Sequence, residues 1–437
     1  MTIDAVATIP SLEEAGRRSS RRGATVVAAA FAVLFVIFGA AYSFTAFFAS
    51  LEAEFKALRG ALSQAFSITL FLYYLIGAVS GPLANRFGAR PMALIGTTIL
   101  GVGLLGAASA QALWHVYVGF ALVGIGVGFA YVPSIGAVQR WFVVRRGFVS
   151  GLAVSGIGAG TLAVPLIATA LISELDWRGA WIVLGSFTIL VGTAAAWFID
   201  DSPERHGMLP DGGVIGVAST SVHAHAASAS LSVREALRTR EFWLLYFALQ
   251  CYSVGLFVPF VHLVPFAEDH GIRHDVAVAL FSVIGVGSTL GRLCLGGIAD
   301  KIGRRLSLLG MHLGVALMLT WWLFSANTWQ LAVFAFVYGA FYGGAVALTP
   351  ALVSDYFGSR NASGIIGVLY TAIAFGTLVG PRLAGDAFDY FKNYTLPIAI
   401  CAGFAFASLV FLAMLREPGR IGPQAAAAGD DGNAKVA

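Results

Sequence analysis

Arg292 is the residue of this chain whose position most restricts its chemistry. It lies inside an apolar stretch near residues 275–299, roughly two helical turns before Asp300, with no acid close by on the same stretch. A charge held well inside a bilayer costs at least ~2.5–3.5 kcal/mol, so such a residue is expected to face a cavity or a partner. A guanidinium fork matches a carboxylate with two parallel hydrogen bonds. The expected chemistry is therefore a clamp for the carboxylate of a small organic anion. The competing reading is an arginine that extends along its own helix to the membrane interface, about 12 Å away at helical rise. Tyr42, Tyr131, Tyr342 and Tyr370 also fall within apolar stretches. Tyrosine rings can wall such a site while their hydroxyls donate to an anion. Tyr73, Tyr74, Tyr252 and Tyr338 belong to the same set. His262 is the titratable side chain nearest such a path and the candidate for proton coupling, weighed against a histidine merely bonded to a neighbouring helix. Arg382 precedes Asp386 by four residues and is expected to pair with it.

These residues need a scaffold, and composition names it. The 437 residues are 58% hydrophobic and 11% charged, with a mean hydropathy of +0.81. A soluble surface does not tolerate that balance. A bilayer core about 30 Å thick needs roughly 20 apolar helical residues per crossing. Twelve such stretches fall near 24–49, 61–85, 90–110, 113–139, 146–173, 178–200, 241–267, 275–299, 306–326, 329–353, 362–388 and 394–415. They are continuous runs rich in Gly, Ala and Leu, so the alternating pattern of a β-barrel is excluded. The polar first twenty-odd residues do not form a secretory signal. The expected fold is an all-α membrane protein with twelve transmembrane helices in two six-helix halves. Its parts are an N-terminal tail (1–23), a first domain (24–200), a linker (201–240), a second domain (241–415) and a C-terminal tail (416–437).

The sequence is built twice. Gly81–Arg90 (GPLANRFGAR) returns 215 residues later as Gly296–Arg305 (GGIADKIGRR). Gly124 and Gly128 return as Gly339 and Gly343, and Pro165 has a counterpart in Pro381. Such doubling is the mark of a two-domain carrier. Twenty of the 27 lysines and arginines fall in the tails and the even-numbered loops, which places both termini in the cytoplasm by the positive-inside rule. The net charge of +4 is thus a topology signal and implies no nucleic-acid partner. The repeated hairpins, with Asn85, Arg86 and Arg90 in one and Asp300, Lys301, Arg304 and Arg305 in the other, are expected to act as gate motifs at the cytoplasmic face.

With twelve crossings, a doubled hairpin and a central linker, the chain resembles the major facilitator superfamily over residues 24–415. The segments Arg140–Gly147 and Ser150–Gly158 are similar to the signature of its monocarboxylate porters, as are Tyr42–Phe48, Leu51–Phe55, His262–Pro265 and Gly291–Leu293. That branch includes lactate and pyruvate carriers and, more distantly, oxalate/formate exchangers. The resemblance implies alternating access about a mid-membrane site. It also implies that the hairpin acid braces the closed cytoplasmic gate, a brace weakened here because Asn85 stands where Asp is usual. Mammalian-type porters carry an acid one turn before the span-8 arginine, where this chain has Ser288. Oxalate exchangers carry a lysine in span 11, where it has Ile373.

The expected function is transport of a small monocarboxylate, lactate- or pyruvate-like, across the inner membrane by proton symport or anion exchange. The alternatives are an oxalate/formate-type antiporter and an exporter of another small organic compound. One central cation balances a monoanion, whereas a dicarboxylate leaves a buried charge unpaired. No cofactor or metal is implied; His206, His223 and His225 in the linker lack ligand spacing. Cys251, Cys294 and Cys401 read as small core residues, Trp321 and Trp322 as lipid-facing, and Leu231–Arg240 as a short amphipathic helix on the membrane surface. The deep acid expected of an exporter of cationic drugs is missing, as are the motifs of a membrane enzyme. The expected assembly is a monomer.

Overall fold

The computed structural model describes residues 12–142, 146–206, 208, 231–358 and 361–416; the side chains of Asn85 and Asp300 lie outside what it describes, as do His223 and His225. Every ordered element among these residues is helical. The first crossing, α1, joins the helices Leu12–Tyr42 and Phe44–Phe55 at Ser43. It is followed by α2 (Arg59–Phe87), α3 (Ala89–Ala108) and α4 (Leu113–Trp141). The second half comprises α7 (Arg240–Leu256 continued by Pro259–Asp269), α8 (His274–Ile302), α9 (Arg304–Leu323), α10 (Thr328–Phe357), α11 (Ala362–Phe391) and α12 (Thr395–Ala413).

Eleven stretches are long and apolar enough to cross a bilayer, one fewer than the twelve expected, because Phe148–Trp197 is a single run of 50 residues. At helical rise that run measures about 75 Å, enough for two passes. It is broken at Asp176, whose backbone leaves the helical region (φ 64°, ψ 176°) and whose carboxylate accepts from the Gly179 N–H at 2.9 Å. The capped break makes two crossings of it, α5 (148–175) and α6 (177–197). The contacts agree: Gly158 of α5 lies against Gly285 and Thr289 of α8, while Gly185 of α6 lies against Gly101 of α3.

Glycine packing carries the repeat into three dimensions. Gly124 and Gly128 of α4 rest on the backbone of Thr69 and Tyr73 in α2. Gly339 and Gly343 of α10 rest on Ile284 and Ser288 of α8, the same contacts displaced by 215 residues. Lipid supplies no hydrophobic drive for helix association, so small residues that let backbones touch do that work. Gly291 of α8 lies against the backbone of Ala340 and completes the α8–α10 seam beside Arg292.

The two hairpins turn at Gly88 (φ 99°) and Gly303 (φ 92°), a conformation L side chains rarely adopt. The motif arginines bind back within their own half. Arg90 Nε donates to the Ile199 carbonyl at 2.9 Å, and Arg305 Nη2 donates to the Ala413 carbonyl at 2.8 Å, the same tie in each copy. Trp141 and Tyr356, also 215 apart, bond to the carbonyls of Asp200 and Arg416. The carboxylate of Asp201 accepts from the Ala89 N–H and pairs with Arg205 at 2.5 Å. Arg304 pairs with Asp355 at 2.5 Å, while Arg86 and Lys301 are exposed.

Three expectations are corrected. Trp322 is fully buried, stacked on Phe334 at 5.2 Å, while Trp321 is partly exposed. Neighbouring residues point about 100° apart on a helix, which here turns Trp321 outward and Trp322 into the core. Cys294 is exposed rather than a core residue; Cys401 is buried and Cys251 half-buried. The surface helix expected at Leu231–Arg240 shrinks to Val233–Ala236, because Thr239 caps a fresh helix start at Arg240. Leu231 is held by the Phe357 carbonyl and the Asn361 amide, so the segment docks on the protein. Hydrogen bonds from Ser232 hold the Glu235 carboxyl below its ordinary range.

Substitution of Gly291 by Val is expected to wedge α8 from α10 and to lower stability by about 1–3 kcal/mol. Gly106→Ala, where a Cβ meets nothing within 4 Å, is expected to leave stability unchanged or to raise it. Thermal unfolding of the purified protein in detergent measures both.

Candidate substrate site

Burial of an arginine in a helix seam demands partners for five N–H groups. Arg292 is 4% exposed and meets that demand only in part. Its Nη1 donates to the Ser288 hydroxyl one turn earlier at 2.6 Å, and its guanidinium lies 5.7 Å from the centre of the Tyr342 ring on α10. Nε and Nη2 are buried and have no hydrogen-bond partner. These two nitrogens form one edge of the planar fork, with parallel N–H bonds, the edge that takes both oxygens of a carboxylate.

The expected tyrosines converge on this group. Tyr342 packs under it, Tyr42 of α1 is joined to Tyr342 through Phe260, and Tyr131 of α4 is joined to Tyr42 through Phe38. Tyr370 of α11 is reached through Tyr74, 5.4 Å from its ring. The rings between them form a belt drawn from both halves. Phe38 meets Tyr73 and Tyr131 edge-on at 5.5 Å each. Tyr42 lies 4.9 Å from Phe260, which lies 5.4 Å from Tyr342. Phe257 closes the belt between Tyr74 and Tyr342.

Reasoning from sequence passed over Phe38, Phe257 and Phe260 and gave Tyr73 and Tyr74 no preference. The repeat carried a usable signal: Tyr73 occupies in α2 the position Ser288 occupies in α8, one turn before Arg292.

A second cluster joins the halves at the opposite face from the glycine hairpins. Arg59, at the start of α2, binds Asp269 at the end of α7 through two contacts of 2.5 and 2.8 Å. The Tyr394 hydroxyl accepts a further bond from Arg59 at 3.1 Å, and the guanidinium stacks 4.2 Å from the Phe388 ring. Asp389 of α11 accepts from the N–H groups of Arg59 and Gly60 at 3.1 and 2.8 Å, so one half caps a helix of the other. Nothing in the sequence marked Arg59 for this role, since the adjacency of α2 and α11 is purely tertiary.

His262 belongs to this cluster. It is fully buried, with Nε2 2.9 Å from the Pro381 carbonyl and 3.1 Å from the Ser63 hydroxyl, and Nδ1 3.1 Å from the Tyr394 hydroxyl. A carbonyl only accepts, so Nε2 carries the hydrogen and Nδ1 accepts from Tyr394, which satisfies a neutral ring. Arg382 pairs with Asp386 at 2.7 Å. Among the described residues no His, Cys, Asp or Glu group could hold a metal ion.

The sequence pattern of the Major Facilitator Superfamily matches residues 29–318 and 243–435. Monocarboxylate transporter 11 of Mus musculus is 26% identical over 405 residues, covering 90% of this chain and 88% of that protein. Monocarboxylate transporter 12-B of Danio rerio is 29% identical over 350 residues, covering 75% and 72%. Monocarboxylate transporter 13 of Rattus norvegicus is 26% identical over 393 residues, covering 88% and 87%. With its paired six-helix halves and buried central arginine, the chain is a multi-pass membrane transporter of the major facilitator superfamily, in the monocarboxylate porter-like branch.

Proposed function

We propose that the protein carries a small monocarboxylate across the cell membrane by alternating access, with the carboxylate seated on Arg292. The reading rests on the Nε and Nη2 edge of that residue, buried and unpartnered. An orphaned charged donor pair is costly unless a ligand completes it. Tyr42, Tyr131, Tyr342 and Tyr370 wall the site and offer hydroxyls. The glycine hairpins, with Asn85 and Asp300 on them, face the cytoplasm, and the Arg59 cluster forms the external gate. Lactate and pyruvate are the first substrates to test.

Coupling follows from the same geometry. Ser288, a neutral hydroxyl, is the side-chain partner of Arg292 within its helix. The empty carrier therefore holds an uncompensated charge, which resists closure, and the anion itself relieves it. Loaded reorientation is favoured over empty return, which makes exchange of anions the expected mode. His262 is assigned to the external gate, since both its ring nitrogens are engaged there.

Arg292→Gln is expected to cost about 2–5 kcal/mol of anion binding, roughly 30-fold or more in affinity. Counterflow of labelled lactate or pyruvate in proteoliposomes measures it, at expression matched to the parent; retained counterflow would remove the clamp. Ser288→Asp places an acid beside the fork. Once ionised, that acid competes with substrate, so uptake by the variant is expected to fall as pH rises through its titration, while the parent changes less. His262→Gln keeps a donor for the Pro381 carbonyl and is expected to retain the parent's pH profile of uptake. A profile that flattens would return His262 to the proton path.

A further inference from the structure

We propose that the carried monocarboxylate bears a neutral aromatic side chain, and that the ring belt around Arg292 recognises it. This rests on the reading of Arg292 as the carboxylate clamp and narrows what is attached to the carboxylate.

Two observations carry it. The first is the make-up of the belt. Phe38, Tyr73 and Tyr131 meet at 5.5–5.8 Å with ring planes 77–89° apart. From the other half, Phe257, Phe260 and Tyr342 meet at 5.2–6.0 Å. An aromatic ring has a negative face and a positive edge, so these walls offer a flat ring edge-to-face partners that a saturated chain of equal area cannot use. The same negative faces disfavour a second carboxylate, leaving the guanidinium as the seat of the one anionic group.

The second is the state of the hydroxyls. Outside the belt, Tyr117, Tyr338 and Tyr356 commit theirs to the carbonyls of Ala61, Leu256 and Arg416, while Tyr246 and Tyr394 bond to side chains. In the belt, none of the hydroxyls of Tyr42, Tyr131, Tyr342 and Tyr370 is bonded to a backbone carbonyl among the described residues. Hydroxyls free of the backbone in this way can turn to a ligand without orphaning a carbonyl. They suit a ligand with a polar substituent beside its carboxylate, such as an aromatic 2-hydroxy acid.

The test holds the head group constant and varies the tail. Lactate, 3-cyclohexyllactate and 3-phenyllactate are compared on the purified full-length protein by ligand-induced thermal stabilisation, and in proteoliposomes by counterflow, with Arg292→Gln alongside. Phenyllactate is expected to half-saturate at a concentration about tenfold below that of cyclohexyllactate, and Phe38→Leu is expected to shrink that ratio. Equal or tighter binding of cyclohexyllactate, or tightest binding of lactate, would overturn the aromatic side chain while leaving the carboxylate clamp in place. Absence of binding by all three, in parent and Arg292→Gln alike, would overturn the clamp and this inference together. The comparison of ligands on the parent decides the matter even where Phe38→Leu fails to fold.

Discussion

A guanidinium inside a membrane-spanning bundle is tolerated only if its surroundings are arranged for it, and much of this fold can be understood from that constraint. Arg292 is almost fully buried, so each of its N–H groups needs a partner. Ser288 satisfies one nitrogen, and the ring of Tyr342 lies against the group. The Tyr342 contact depends on α8 and α10 touching backbone to backbone, which glycines at 287, 291, 339 and 343 permit. The remaining edge, Nε and Nη2, is buried without a partner.

Much of the scaffold was legible in the residues. Composition and run length give the membrane and the number of crossings, and the doubled hairpin gives the halves. The one numerical discrepancy, eleven long stretches for twelve passes, comes from Asp176, where a short reversal leaves the run helical on both sides. The site was partly legible. Arg292 announces itself by being charged where charge is expensive, and tyrosines at mid-span are worth suspecting. Phe38, Phe257 and Phe260 could not be singled out, because 33 phenylalanines in an apolar chain look alike until packing selects among them. Arg59 was hidden for the opposite reason: it reads as an ordinary loop base, and its partners come from α7, α11 and the turn before α12.

The repeated hairpins also serve their own halves. The gate expected of them turns on the side chains of Asn85 and Asp300, which lie outside the described residues. In the structure Arg90 and Arg305 each fasten the third helix of a half to the end of its sixth, by the same carbonyl contact in each copy. A half held together in this way can turn as one piece. The polar ties of Arg59, Asp389 and His262 then lie across the surface along which two such pieces meet.

At the start of α2 the position before Arg59 is Leu58, which has no group able to cap a helix. Asp389, from the other half, takes over that task. Two backbone amides of the first half are therefore neutralised only while the halves are closed at this face, and separating them returns those amides to water. The thermodynamic resting point of the carrier is thus biased by what Leu58 lacks: a serine or aspartate there would make the cap local, and the two halves would have one reason fewer to stay together.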